Sequence, residues 1–503
     1  MRLDQAEAWL EGLINLERSP DLRRARLSLS PIRDLLARIG EPQRRLRVLH
    51  IAGSKGKGST ALLSEALLRE AGVSTGAFTS PHLERWTERF RIDGREVPGD
   101  SLAAAIGALR PHVDELRHGP EPPSFFDVTT AAAFQLFADA GVDVAILEVG
   151  LGGRLDSTNV VEPAVCCITS IELEHTDRLG DTLAAIAGEK VGIAKSGAPL
   201  VVGALPAEAA AVVEARAREL GCPLARLGRE LRAELLDDEI DGSRFRFADA
   251  AFTVELELAA PGRHQVSNAA LALASVRRLE RFDDGLLRGA AERAFSRIAL
   301  PGRVEIFARA PWIIVDGAHT AASARALAAT LQRIPRRRSH LVLSVSAGKD
   351  LAAICNALVP EADLVTVTRA EAVRSLDPTL VAEAARAVRG RAEVRVVPNP
   401  HLALRAAREA LREDELLCVS GSFYLAGIAR RVLRESRSRT QDGSGRPDAD
   451  ASPPTALRFL RRSFRYGSVA TPCWRRASTP VLNRPSWVRL LALSRTPEPA
   501  PRV

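Results

Sequence analysis

The chain has 503 residues, 46% of them apolar and 26% charged, with six cysteines and a formal charge of +8. That length exceeds a single core and asks for two or three domains, and the composition excludes collagen-like or low-complexity proteins in favour of a globular one. The charge does not mark the body as a nucleic-acid binder, because residues 435–503 hold 13 Arg against 5 acids and leave 57 basic and 57 acidic residues in 1–434.

The start, Met1-Arg-Leu-Asp-Gln-Ala-Glu, lacks a signal-peptide core, and no apolar run approaches the roughly 20 residues that span a bilayer, so a cytoplasmic protein without membrane contact is expected. Residues 4–17 and Ser30–Gly40 read as helices, the second with Ser30 as N-cap, Pro31 at the first position and Gly40 closing it. Strand, glycine loop and helix follow in Val48-Leu-His-Ile-Ala-Gly-Ser-Lys-Gly-Lys-Gly-Ser-Thr60 and Ala61–Ala71. Further strands are expected at 74–79, 142–149, 164–170 and 199–203, and helices at 101–115, 126–140 and 182–191. Buried runs such as Val144-Ala-Ile-Leu-Glu-Val149 point to a parallel, doubly wound sheet. Residues 224–258 look β-like and polar, and a helix spans 265–279. A second α/β unit places strands at 312–316, 340–345, 364–368, 393–397 and 416–420. From 435 the composition turns to Arg, Ser and Pro, and disorder is expected. The cysteines (166, 167, 222, 355, 418, 473) form no C-x-x-C and read as reduced core residues.

The glycines at 53, 56 and 58 let the backbone turn an anion-binding face toward a phosphate, with lysine charge and a helix N-terminus beside it. The loop departs from G-x-x-x-x-G-K-[ST], since Ile51 stands at the first glycine and Gly58 separates Lys57 from Ser59, so an ordinary glycine-rich turn is the plainer alternative. Ser80, in Thr79-Ser-Pro-His82, suits either a ligand-facing strand end or a helix cap. Glu148 ends a hydrophobic strand, where a carboxylate calls for a partner, and Mg²⁺ would serve. His175 alone reads as a loop histidine and Lys190 as a solvated helix charge; position at successive strand ends is what raises the histidine. Arg303 and Asp316, at the starts and ends of later strands, suit phosphate and ribose.

Taken in order, Ala-Gly-Ser-Lys-Gly-Lys-Gly-Ser, Thr-Ser-Pro-His, Glu-Val-Gly-Leu-Gly-Gly-Arg-Leu-Asp, Glu-His-Thr, Glu-Lys-Val-Gly-Ile, His-Gln-Val-Ser-Asn-Ala-Ala, Pro-Gly-Arg, Asp-Gly-Ala-His and Gly-Ser-Phe-Tyr-Leu carry a resemblance. Over residues 1–434 the chain resembles the bacterial folylpolyglutamate synthase / dihydrofolate synthase family, within the Mur ligase superfamily. The resemblance implies a P-loop-containing, doubly wound ATP-binding domain (1–298) and a smaller Rossmann-like α/β glutamate-ligase domain (299–434), followed by the basic tail (435–503). It implies ATP and Mg²⁺ use, with dihydropteroate or a reduced folate and L-glutamate as the other substrates, in a monomer.

By motif, Gly56, Lys57, Gly58 and Ser59 would cradle phosphates, with Asn268, Arg303, Asp316 and His319 holding ATP from across a cleft. Ser80, Glu148 and His175 would ligate the metal, Lys57, Lys190 and His175 would be catalytic, and Phe126 and Asp156 would contact pteroate. Lys190 stands where the family carries a carbamylated lysine. Three departures stand out: Ser54-Lys55 for Thr-Asn, Leu173-Glu174-His175 for Leu-Asp-His, and Thr320-Ala321 for Asn-Pro.

The chemistry implied is attack of a carboxylate on the γ-phosphorus, then displacement of phosphate from the acyl phosphate by glutamate's amine. The competing reading from the same loop is a nucleotide-dependent switch protein without ligase activity.

Overall fold

The computed structural model describes residues 1–15, 28–279, 282–388, 390 and 392–441. Its first sheet contains β1 (Val48–Ala52), β2 (Thr75–Phe78), β3 (Phe90–Ile92), β4 (Arg95–Glu96), β5 (Val144–Glu148), β6 (Val165–Ile168), β7 (Leu200–Val202) and β8 (Leu224–Arg226). The spatial order is β4-β3-β2-β5-β1-β6-β7-β8, all parallel except the β2-β3-β4 edge. The central strands β1, β5 and β6 are buried at every position, which is why they read as unbroken apolar runs. Alternation within them still decides the face. Leu49 and Ile51 pack on the helices Lys57–Glu70 and Arg263–Leu279, and Val48 on the helices Ser30–Arg38, Gly99–Leu116 and Phe125–Ala140. Cys166 and Cys167 divide in the same way, one toward the helices Leu183–Val191 and Ala207–Glu219, the other toward Arg263–Leu279.

Strands β9 (Arg232–Glu239), β10 (Gly242–Ala248) and β11 (Thr253–Leu258) form an antiparallel sheet, β11-β10-β9. Its alternation is of period two: Phe245, Phe247, Val254, Leu256 and Leu258 enter the core that contains Leu49, while Arg246 pairs with Glu255 at 2.6 Å outside.

The third sheet is made of β12 (Glu305–Arg309), β13 (Trp312–Val315), β14 (Arg338–Leu343), β15 (Leu364–Val367), β16 (Glu393–Val396) and β17 (Glu415–Ser420), in the order β12-β13-β17-β14-β15-β16. Only β12 runs antiparallel. Helices Ala321–Leu331, Leu351–Leu358 and Pro378–Ala387 cover one face, Pro400–Glu409 and Phe423–Gln441 the other.

Three expectations change. The first helix ends at Glu11, and residues 16–27 lie outside the described residues. Ser30 is the first helical residue rather than the cap; Leu29 holds that place without a side-chain bond, and Ser28 Oγ accepts from Ser30 N at 3.2 Å. The last helix runs to Gln441, so residues 435–441 are helical instead of disordered, continuing an apolar face through Leu433; residues 442–503 lie outside the described residues. No helix among the described residues is long and apolar enough to cross a membrane.

Candidate active site

The phosphate loop leaves β1 at Ala52 and enters the helix at Lys57, and its glycines are fixed by crowding. A Cβ at Gly56 (φ +86°) would lie 2.3 Å from Asn268 Oδ1, and one at Gly58 would lie 2.8 Å from Arg303 Nη2 and 3.2 Å from Glu148 Oε2. Lys57 Nζ donates to Gly53 O at 2.9 Å, and Lys190 Nζ donates to the same oxygen at 3.1 Å. Two ammonium groups therefore converge on one carbonyl at the N-terminus of a 14-residue helix, where its dipole adds further positive potential. Ser59 Oγ accepts from Arg303 Nε at 2.9 Å.

Lys190 is not a solvated helix charge, because its side chain is 2% exposed and pairs with Glu174 Oε1 at 2.9 Å. Burial pulls its ammonium down to about 8 against the opposing pull of Glu174. Glu174 also meets Lys55 Nζ at 3.5 Å. Although burial pushes that carboxyl up, Lys190, Lys57 and Lys55 hold it at about 2. Two of the residues that depart from the family pattern, Lys55 and Glu174, thus face each other as an ion pair.

Ser80 follows β2 and Glu148 ends β5, and the Ser80 amide donates to Glu148 Oε2 at 3.0 Å. Ser80 does not cap a helix; its peptide to Pro81 is cis, and a non-helical stretch leads to the 3-10 turn Trp86–Arg89. Burial pushes the Glu148 carboxyl up against Lys57 and the Ser80 amide, leaving a dry acid at the edge of the phosphate loop. His175 sits in the left-handed region (φ +47°), and burial lowers its imidazole to about 4. Among the described residues no group of three His, Cys, Asp or Glu is gathered to hold a metal by itself. Ser80 and Glu148 are in contact, whereas the charges around His175 are Glu174, Lys349, Lys57 and Lys190; a desolvated carboxylate beside a serine fits Mg²⁺ when nucleotide phosphates complete the oxygen shell.

Asn268 lies on the same lobe as the loop and not across the cleft, because its helix packs on the helix Lys57–Glu70; its Nδ2 donates to Gln265 Oε1 at 2.9 Å while its oxygen abuts Gly56. Arg303 lies 5.3 Å from the Phe423 ring centroid. Both oxygens of Asp316 accept backbone amides, from Val304 at 2.7 Å and Ala318 at 2.7 Å. Val304 is β-branched at φ +50°, a strain of roughly 1–3 kcal/mol that a bond to a charged acceptor, about 1.5–3 kcal/mol, offsets. Asp316 therefore shapes the turn that aims Arg303. His319 Nδ1 lies 2.8 Å from Gly317 O; a carbonyl only accepts, so the proton is on Nδ1 and Nε2 is bare.

Phe126 and Asp156 meet around the loop after β5. The Phe126 ring is 5.8 Å from that of Phe78 and covers Gly150, where a Cβ would lie 2.5 Å from Cζ. Asp156 accepts from the amides of Leu151 at 2.9 Å and Thr158 at 3.0 Å and from the Thr158 hydroxyl, and burial raises its carboxyl to about 6. Thr158 spends its proton on Asp156, so His50 Nε2, 2.8 Å from the same hydroxyl oxygen, donates.

Sequence reasoning missed Lys349 and Arg374, on the loops after β14 and β15. Burial lowers the Lys349 ammonium, with Lys55 adding repulsion and Glu174 attraction from the opposite lobe. Arg374 donates to the Tyr424 hydroxyl at 3.2 Å. Their only signal was Gly348-Lys-Asp350 at a strand end, which looks like any turn.

Residues 51–276 match the Mur ligase middle domain, and residues 302–423 match the Mur ligase glutamate ligase domain. A Bacillus subtilis dihydrofolate synthase/folylpolyglutamate synthase is 35% identical over 348 residues, spanning 67% of this chain and 78% of that protein. Its Mycobacterium tuberculosis counterpart is 38% identical, over 70% of this chain and 76% of its own. A probable bifunctional folylpolyglutamate synthase/dihydropteroate synthase of Haloferax volcanii is 36% identical over 72% of this chain, which spans only 43% of that longer relative. Among solved structures, a Mycobacterium tuberculosis folylpolyglutamate synthase complexed with ADP and AMPPCP superposes with a TM-score of 0.76 at 34% identity, over 86% of this chain and 98% of that one. An Escherichia coli FolC in complex with DHPP and ADP gives 0.74 at 30%, over 87% and 99%.

Proposed function

Because the chain belongs to the dihydrofolate synthase/folylpolyglutamate synthase family of ATP-dependent, amide-forming ligases, we propose that it joins L-glutamate to dihydropteroate, giving dihydrofolate, and to reduced folates, giving folylpolyglutamates. The observation that carries this reading is Lys57 on the Gly53 carbonyl at the head of a helix, with Arg303 reaching Ser59 from the other lobe. Those two cations are suited to a triphosphate whose γ-group is being passed to a carboxylate.

In this reading residues 1–298 bind ATP and pteroate, and 299–434 close over them. Gly56, Lys57, Gly58 and Ser59 hold the phosphates, Asn268 flanks the loop from the same lobe, His319 approaches the nucleotide from the far side, and Asp316 acts through the turn that carries Arg303. Ser80, Glu148 and His175 would hold Mg²⁺, which when bound neutralises phosphate charge. Lys57 and Arg303 stabilise the charge that develops as the carboxylate attacks the γ-phosphorus, a contribution of about 10²–10³ in rate for one well-placed donor. Lys190, partly neutral near pH 8, can take up CO₂ as a carbamate and become anionic. Phe126 supplies a ring face and Asp156 an acceptor for a flat pterin.

Lys349 and Arg374, facing the same cleft from the smaller lobe, would take the carboxylates of the incoming glutamate. The unprotonated amine then displaces phosphate from the acyl phosphate, and closure of the lobes keeps water away from it. Every ligand is held by one copy of the chain, as suits a monomer.

The test incubates purified protein with ATP, Mg²⁺ and glutamate, with dihydropteroate in one tube and tetrahydrofolate in another. Amide product in both supports the bifunctional reading, and product in one alone restricts it. ATP hydrolysis indifferent to glutamate would instead mark a nucleotide switch.

A further inference from the structure

The segment that carries Ser80 goes on to Leu83 and Glu84, and both dock on the smaller lobe. The Glu84 carboxylate, 6% exposed, accepts from Arg430 Nε at 2.7 Å and Arg434 Nη1 at 3.0 Å, both on the helix Phe423–Gln441. Arg430 is itself only 7% exposed and also pairs with Glu305 of β12. Glu305 in turn accepts from the Gly302 amide at 2.8 Å, in the turn that presents Arg303.

The packing beside these charges leaves no slack. A Cβ at Gly427 would lie 2.0 Å from Leu83 O, and one at Gly302 would lie 3.1 Å from Leu83 Cδ1. The hook is stiff as well, because the amides of Leu83, Glu84 and Arg85 all donate to the Glu88 carboxylate, at 2.7, 3.0 and 3.0 Å. Neither Glu84 nor Arg430 bonds to a residue expected to touch nucleotide.

We propose that Glu84 and Arg430 are positioning residues for phosphoryl transfer, a buried clasp between the lobes that sets Ser80 on one side and Arg303 on the other against the phosphate loop. Two packed charges fix a distance more sharply than an apolar patch, since a shift of either leaves a buried group unpaired. The clasp also closes the seam through which water would reach an acyl phosphate. The inference rests on the ligase reading above.

The experiment compares wild type with Glu84→Gln, and with the Glu84→Gln/Arg430→Gln pair, which leaves no unpaired charge between those two positions if the single variant fails to fold. The measured quantities are kcat, KM for ATP, and phosphate released per amide bond formed. A folded variant should lose 10-fold or more in kcat and release several phosphates per amide where wild type releases about one. Arg430→Lys, which keeps the charge, should recover part of both. Wild-type kcat and coupling in a folded variant would overturn the clasp. Should wild type form no amide at all, the ligase reading falls, and the clasp is judged by ATP affinity: a 10-fold loss upholds it and no change overturns it.

Discussion

The two ends of the cleft treat buried charge in opposite ways. At the phosphate end Lys55, Lys57, Lys190 and Arg303 crowd a small volume, and Glu174 and Glu148 neutralise them only in part. At the end beside Phe126, where we propose that pteroate binds, the carboxylates face no cation: Asp127 accepts from Ser124 N at 2.8 Å and from the Ser124 and Ser157 hydroxyls at 2.6 Å each, and Asp156 is held by amides and Thr158. One end is left short of anions and completed by its ligand. The other is finished before the ligand arrives and holds a shape. Substitutions at the first should therefore abolish chemistry with little loss of fold, and substitutions at the second should cost stability together with substrate binding.

The sharpest test of the cationic end is Lys57→Met, expected to lower kcat by about 10²–10³ or more while the melting temperature stays near wild type. A folded, fully active variant would remove the loop from the mechanism. Lys190→Ala should lose nearly as much, with part restored by a small carboxylate such as acetate. Carbon-13 NMR in labelled bicarbonate should show a carbamate signal in wild type that the variant lacks.

Next in size, Lys349→Met should raise KM for glutamate about tenfold, the loss of about 1.4 kcal/mol of binding, and leave KM for ATP alone. An unchanged glutamate KM would free that lysine from the role.

The self-satisfied end is tested by stability against pH. Burial takes the His50 imidazole from its usual value down to about 3, so between about pH 6.5 and 3 the unfolded chain binds a proton that the folded one refuses. Stability is therefore present above that window and is lost as pH falls through it, by up to about 1.4 kcal/mol per pH unit for one imidazole. Asp156, raised to about 6, works in the opposite sense, as do the raised carboxyls of Asp127, Glu148, Glu172 and Asp316, so the imidazole is read as a difference between wild type and variant. From pH 6.5 to 4, His50→Gln should lose less melting temperature, or gain more, than wild type does. A slope unchanged in the variant would show that His50 is protonated in the native state. The smallest effect is expected from ending the chain after Gln441, which should leave kcat within twofold and weaken salt-sensitive retention on heparin.

Most strands were legible because parallel strands buried on both faces read as apolar runs of four to six residues. The hairpin β3-β4 was not, since strands of three and two residues, half exposed, carry no period. In the site, glycines, strand-end acids and the turn prolines could be found by local pattern. The burial of Lys190 could not, because its sequence neighbours Glu189 and Val191 suit a surface helix; only the packing of that helix on the phosphate loop reveals it. Glu84 and Arg430 are 346 residues apart, a separation that no periodicity spans.

The neighbouring thiols Cys166 and Cys167 open opposite sides of β6 to chemical labelling. Burial pushes both up to about 12, and the reactive species is the thiolate, so neither is alkylated while its face stays packed. Cys166 leans on the Ile193 carbonyl at 3.4 Å and Cys167 on the side of Ser275. In a time course with a mass tag, modification at the first would report loosening of the helix Leu183–Val191, which carries Lys190. Modification at the second would report release of Arg263–Leu279, which carries Asn268. The thiols of two adjacent residues would thus clock separately the departure of the helices Leu183–Val191 and Arg263–Leu279 from the two faces of the sheet.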